Sequence, residues 1–395
     1  MAASPIYLDH HATTPCDPRV LDAMLPWFTE RFGNASSATH RYGWEADAAV
    51  EMARESLAHS LGAADPRELV FTSGTTESDN LALQGLVRAA SAGEPHLVTT
   101  AIEHPAVLDV CVALEREGAR VTRLPVAGDG RVDPAAVAQA ITPQTLLVSV
   151  MAANSEIGTL QPLAEIGRIC RERGVLFHTD AAQALGKLRL DVEALGIDLL
   201  SACAHKLYGP KGVGLLYVRD RRPRIRLLPL LYGGGHERGL RSGSLPVPLV
   251  VGFARAVELC LEELPGEADR LTALRERLWN GLRAGLPDLR RNGHPSERLP
   301  GNLNVCIPGL EADALIAALK DVALSSGSAC ASASGEASHV LAALGLSDSA
   351  ARASLRFGLG RGTTQAQIDI ATARVVEEAR ALRERGPRSA GLRKH

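Results

Sequence analysis

From about residue 66 to residue 218 the chain alternates short apolar runs with longer amphipathic stretches, and this alternation constrains the fold more than any other feature. The runs ELVFTSG, HLVTTAIEH, RVTRLPV, TLLVSVMAAN, VLFHTDA, IDLLSACA and VGLLYVR have the length and residue types of buried strands. Between them lie SDNLALQGLVRAAS, AVLDVCVALEREG and LAEIGRICRERG, which repeat apolar residues at helical spacing. Strands alternating with helices imply a mostly parallel sheet covered on both faces. Ligands of such sheets bind beyond the carboxyl ends of the strands.

The pattern changes after residue 246. A long helical region spans 246–286, and strand-like NLNVCIP, VALSSGSAC and SLRFGLG follow, separated by helices. At 395 residues the chain suits two domains. We expect a large domain over 15–260 and a smaller α+β domain formed by 1–14 with 261–395. No internal repeat or low-complexity linker separates them.

Charge and composition remove several function classes. The formal charge is -2, so no overall positive field attracts a polyanion, and direct nucleic-acid binding is not expected. No run of about 18 apolar residues is present and MAASPIYLDH lacks the layout of a signal peptide, so a cytoplasmic protein without membrane attachment is expected. Seven cysteines are spread without a C-x-x-C pair, which suggests neither a disulfide framework nor a thiol-rich metal site. The basic end RALRERGPRSAGLRKH reads as a solvated tail.

The residues with chemical character follow the strand-like runs. Thr75 and Thr76 lie in SGTTESDN, a glycine turn opening a helix, whose N–H groups and dipole suit a phosphate; an ordinary helix cap is the bland alternative. His104 precedes Pro105 at a helix start, Asn154 and Ser155 follow LLVSVMAA, and Asp180 ends VLFHTD. His205 and Lys206 follow IDLLSACA. Lysine is scarce here, only Lys187, Lys206, Lys211, Lys320 and Lys394 occurring. A desolvated lysine has its ammonium disfavoured, which prepares the amine for a Schiff base. An aspartate at a strand end can hold a pyridinium nitrogen protonated.

Over about residues 5–384 the chain resembles the NifS/IscS-type cysteine desulfurases of the class V aminotransferase group. The resemblance is carried by IYLDHHATTP, FGNASSATHRYG, VFTSGTTESDNLA, IEHPAV, NSEIGTLQP, HTDAAQALGK, AHKLYGPKGVG, GGGHERGLRSGS, SSGSACAS and LRFGLGR. It implies a fold-type-I α/β transferase dependent on pyridoxal 5'-phosphate, with a seven-stranded, mostly parallel sheet in its large domain. By that similarity Lys206 forms the Schiff base, Asp180 pairs the pyridine nitrogen, and His104 stacks on the ring and assists proton transfer. Gln183 bonds the ring hydroxyl. Thr75, Thr76, Cys203 and His205 belong to the phosphate site, and Ser244 reaches the phosphate of a neighbouring subunit, implying a homodimer. Ser155 contacts cofactor and substrate, and Arg356 clamps the substrate carboxylate, a task suited to guanidinium.

The resemblance makes Cys330, in the small-residue stretch SSGSACASASG, the nucleophile that takes sulfur from L-cysteine, leaving L-alanine and a persulfide. The persulfide would pass to an acceptor protein, an iron–sulfur scaffold or a thiolation relay. No metal site is expected, although Cys330 can serve as a transient cluster ligand. Several positions depart from the family pattern: Ser155 replaces an asparagine, Cys203 a serine and Ser244 a threonine, and His11 and the Ala181-Ala182 pair are also atypical. The rival readings are a selenocysteine lyase or another class V lyase, and a scaffold subunit that delivers no sulfur.

Overall fold

The computed structural model describes residues 5–90, 93–327 and 337–385. In chain order the elements begin with β1 (Ile6–Tyr7), α1 (Pro18–Met24), α2 (Pro26–Thr29), α3 (Arg41–Leu61), β2 (Leu69–Thr72) and α4 (Thr75–Ala89). They continue with β3 (His96–Thr100), α5 (Pro105–Arg116), β4 (Arg120–Leu124), α6 (Pro134–Ala140), β5 (Thr145–Ser149), α7 (Leu163–Arg173) and β6 (Leu176–Asp180). Next come β7 (Leu199–Cys203), β8 (Gly214–Val218), α8 (Val247–Gly285), β9 (Arg290–Asn292), β10 (Asn302–Cys306) and α9 (Ala312–Ala318). The chain closes with β11 (Val322–Ala323), α10 (His339–Ala343), α11 (Asp348–Arg352), β12 (Ser354–Gly358) and α12 (Gln365–Arg385).

The chain forms two compact units. The larger comprises Thr13–Asn154 and Thr159–Gly266; the smaller comprises the described parts of Met1–Ala12, Ser155–Gly158 and Glu267–His395.

In the larger unit seven strands form one sheet in the order β2-β8-β7-β6-β5-β3-β4. The pairs β7–β6, β6–β5, β5–β3 and β3–β4 are parallel, and only β8 runs against its neighbours. Each of the seven apolar runs read from the sequence is one of these strands. β2, β3, β6 and β7 read as continuous apolar or small-residue segments because both of their faces are covered, and all but one residue of the four is buried. Three helices start alike. Asp17, His104 and Asp133 each accept an N–H from two residues on, and each is followed by proline at the first helical position.

The smaller unit has an antiparallel sheet in the order β12-β10-β9 and a parallel pair, β1 with β11. Its core comes from Leu278, Leu282, Leu303, Val305, Leu355, Phe357, Ile368 and Val375. The expected helical region 246–286 is α8, Val247–Gly285, which continues through Pro265. Among the described residues no helix is long and apolar enough to cross a membrane.

Candidate active site

The strand directions bring the ends of β2, β3, β5, β6 and β7 to one edge of the large sheet. From that edge come Thr75 and Thr76 on α4, His104 at the start of α5, Asn154, Asp180 closing β6, Gln183 just beyond it, and Cys203, His205 and Lys206 after β7.

The phosphate-type turn depends on glycine. Gly74, the N-cap of α4, has φ 156 and ψ 176, a conformation other residues avoid, and it offers no capping side chain. A Cβ at Gly214 would lie 2.6 Å from the Gly74 Cα, so β8 passes against this turn only because residue 214 is glycine. The Thr75 hydroxyl is buried without a hydrogen-bond partner. An uncapped helix start together with an orphaned buried hydroxyl fits an anion. Cys203 is buried close by, and burial pushes its thiol up in pKa, with Thr75 partly offsetting that rise. The residue is therefore a neutral, weak donor.

His205 is held from the N-terminal side of the same unit. Its Nδ1 shares a hydrogen bond with Thr13 Oγ1 (3.1 Å), and its carbonyl accepts from the Thr14 hydroxyl (3.0 Å). Thr14 Oγ1 also accepts the Tyr208 N–H at 2.7 Å, which fixes both sides of Lys206. Burial and the nearby lysines hold His205 down at about 4, so it is neutral at physiological pH. Lys206 is half-buried.

Asp180 accepts the Ala182 N–H at 2.8 Å. Burial raises its pKa, and the positive fields of His104 and Lys206 pull it back. Gln183 accepts from Lys187 Nζ at 3.0 Å, and His104 Nδ1 accepts the Ala106 N–H at 3.1 Å. Behind Asp180 lies a dry polar layer that the sequence reading did not anticipate. His178 shares hydrogen bonds with Ser149 (2.8 Å) and Ser201 (3.0 Å), and burial lowers it to about 3. Asp79, fully buried on α4, approaches His178 at 3.6 Å and interacts with Ser201. Glu103 accepts from Thr100 and the Met151 N–H and is pushed up to about 8 by burial. Two sequence signals pointed there: Asp79 is four residues beyond Thr75 on one helix, and His178 shares a strand face with Asp180.

A buried carboxyl closing β6, a phosphate-type turn at the start of α4 and a lysine just after β7, all at one edge of the sheet, form a donor set that fits pyridoxal phosphate. The anion of Asp180 suits a protonated ring nitrogen, and the α4 start suits the phosphate.

Two expected residues belong to the smaller unit. Arg356 on β12 is buried, and its Nη1 donates to the Ser155 carbonyl at 3.2 Å. Its Nη2 donates to Asp9 at 2.7 Å, a partner the sequence reading missed. Ser155 presents its carbonyl to this arginine and is half-buried. Ser244 is exposed, in the segment before α8. Cys330 lies outside the described residues. Among the described residues no group of His, Cys, Asp and Glu could hold a metal ion.

The model of the aminotransferase class-V family matches residues 6–370. The chain is 56% identical over 383 residues to the cysteine desulfurase IscS of Anaeromyxobacter dehalogenans (strain 2CP-C), covering 97% of this chain and 94% of that protein. Among solved structures, a NifS-like protein superposes with a TM-score of 0.89 at 36% identity, covering 96% of this chain and 100% of that one. SspA in complex with cysteine superposes with a TM-score of 0.80 at 40% identity, covering 90% and 98% of the two chains. The sheet order, the carboxyl-edge residues and these matches lead to one assignment: the chain belongs to the aminotransferase class-V family, among its IscS/NifS-type cysteine desulfurases.

Proposed function

We infer that this cysteine desulfurase takes sulfur from L-cysteine with pyridoxal phosphate as its resident cofactor, and that Lys206 anchors the cofactor. The reading rests above all on Lys206, Asp180 and the open α4 start sharing one sheet edge of one unit. When bound, pyridoxal phosphate supplies an electron sink for substrate bonds at the α-carbon.

The chain's own residues divide the remaining work. Asp180 presents a carboxylate to the ring nitrogen, Gln183 faces the ring hydroxyl, and His104 moves a proton beside the ring. Thr75, Thr76, Cys203 and His205 hold the phosphate, with Ser244 reaching that of a neighbouring subunit. Arg356 binds the substrate carboxylate near Ser155. The Cys330 thiolate attacks the substrate sulfur: an S–S bond forms, the C–S bond breaks with its electron pair on carbon, and protonation there gives L-alanine and a persulfide. The homodimer agrees with exposed Leu21, Leu25, Phe28, Phe32, Tyr42 and Trp44 in the larger unit, a set of large apolar side chains that a partner surface would cover. The persulfide passes, in the cytoplasm, to an iron–sulfur scaffold or thiolation relay.

Lys206→Ala tests the anchor: it abolishes turnover and the visible absorbance of bound cofactor, whereas Lys211→Ala keeps the band. A retained band in the Lys206 variant refutes the assignment. Mass spectrometry after brief exposure to L-cysteine tests the carrier, since the added sulfur should sit on Cys330 and disappear in Cys330→Ala. Sulfur on any other cysteine overturns that role.

A further inference from the structure

Arg356 is almost wholly buried, at 1% exposure, so its partners decide which of its N–H groups a substrate can use. Nη2 donates to Asp9 Oδ1 at 2.7 Å and to Ser325 Oγ at 3.2 Å. Nη1 donates to the Ser155 carbonyl at 3.2 Å, and Nε has no partner. The three acceptors are unequal. Two are neutral and distant, and an incoming carboxylate displaces such contacts readily, because charge-assisted bonds are about twice as strong. The third is short and ionic.

The backbone around Asp9 is held on both sides. The Leu8 N–H donates to Ala323 O (2.8 Å), the Gly358 N–H to Leu8 O (2.7 Å) and the His10 N–H to Gly358 O (3.1 Å). Asp9 itself bridges to Gly358, two residues along β12 from Arg356. Its carboxylate is therefore a fixed anion at one corner of the guanidinium. A planar fork held at one corner has its remaining N–H groups aimed, and guanidinium recognises carboxylates through that aim.

We propose that Asp9 is a positioning residue for the substrate: it holds the plane of Arg356 so that the remaining N–H groups meet the carboxylate of an α-amino acid. The proposal rests on the reading of Arg356 as the substrate-carboxylate residue. The opposite arrangement, in which Asp9 merely neutralises a buried cation until substrate displaces it, predicts effects of the other sign.

The test uses holoenzyme carrying Asp9→Asn, Asp9→Glu or Arg356→Gln. L-alanine binding is read from the cofactor absorbance, and KM and kcat are measured with L-cysteine. Cysteamine, which lacks the carboxylate, is the comparison ligand. Asp9→Asn should weaken L-alanine binding and raise KM roughly tenfold, the worth of a charge-assisted bond, with a much smaller change in kcat and in cysteamine binding. Asp9→Glu keeps the charge on a longer side chain and should also weaken L-alanine binding, whereas a simple counter-charge would leave it unchanged. Unchanged or tighter L-alanine binding in both Asp9 variants, alongside loss in Arg356→Gln, overturns the positioning role alone. L-alanine affinity retained in Arg356→Gln removes the underlying reading and this proposal together.

Discussion

The layer around Asp180 in the larger unit buries a group of acids, the smaller unit buries a group of arginines, and the two groups are neutralised by different means. The larger unit buries Asp79, Glu103 and Asp180 close to one another in the fold. Burial raises the pKa of each, so the proton is what neutralises Asp79 and Glu103. The smaller unit buries Arg275, Arg298 and Arg356 and supplies oxygen instead. Asp9 pairs with Arg356, Glu276 with Arg275, and Arg298 donates to Ile157 O (2.9 Å), Asn302 Oδ1 (3.1 Å) and His294 O (3.2 Å). Arginine stays cationic because it does not give up its proton, whereas a carboxylate loses its charge by taking one, so a buried guanidinium must be surrounded while a buried acid can simply stay neutral. A negative position suits a protonated ring, and a positive one suits a substrate carboxylate.

The largest expected effects separate these two roles. Asp180→Asn removes the anion and should lower kcat by about three orders of magnitude or more, the scale of losing a buried charge partner of several kcal/mol at the reacting ring. Arg356→Gln should mainly raise KM for L-cysteine, by roughly a hundredfold, while the cofactor absorbance stays near wild type. Steady-state kinetics beside absorbance spectra check the pair. If each variant damages both parameters equally, the division of labour fails.

A smaller effect appears in the pH dependence of stability. His178 is lowered to about 3 in the fold against an unfolded value near 6.5, so its contribution is present above about 6.5 and is lost as pH falls toward 3. Glu103 runs the other way: its raised value means stability present below about 4.3 and lost as pH rises through about 8. Stability measured across pH should therefore decline on both sides, by up to several kcal/mol on the acid limb. His178→Asn should flatten that limb, and an unchanged acid slope would show that His178 is not what the acid side titrates.

The surrounding of Arg298 gives the next size. Arg298→Met strands its carbonyl partners and should cost about 2–3 kcal/mol in denaturant unfolding. Asp79→Asn replaces a neutral acid with a neutral amide of the same shape and should change stability by less than about 1 kcal/mol. Equal costs would mean that Asp79 depends on its partners as Arg298 does.

These contrasts mark how far the sequence could be read. The inner strands were legible because burial on both faces leaves runs such as HLVTT and LLSAC with few charges to confuse the pattern, and the edge strand RVTRL was found from its β-branched residues although it is mostly exposed or half-buried. The short strands β1 and β9 were harder, since IY and RRN carry no periodicity. The edge residues Thr75, His104, Asp180 and Lys206 could be placed because each follows its strand within a few residues. Asp9 could not be matched to Arg356, which is 347 residues away and meets it only through strand pairing at β12. Asp79, Glu103 and His178 were missed for a different reason. A buried acid is marked by what surrounds it in space, and in sequence SDN and IEH read as ordinary helix starts.

The smallest predicted effect lies at the end of β7 in the large unit. Cys203 is 2% exposed, it precedes the turn bearing His205 and Lys206, and burial keeps it a thiol. A thiol donates weakly to phosphate oxygen, and the adjacent Thr75 hydroxyl meets this thiol without a well-formed hydrogen bond. Cys203→Ser puts a stronger donor in nearly the same volume and strengthens the contact with Thr75. Cofactor affinity should tighten by about 0.5–1.5 kcal/mol, the net worth of one hydrogen bond. Titration of pyridoxal phosphate into apo-enzyme reads the change directly, and Cys203→Ala serves as control because it removes the sulfur without adding a donor. The serine variant should bind more tightly than wild type and the alanine variant more weakly. Should serine and alanine weaken binding alike, residue 203 contributes packing and no hydrogen bond to the phosphate, and the orphaned Thr75 hydroxyl alone marks that end of the site.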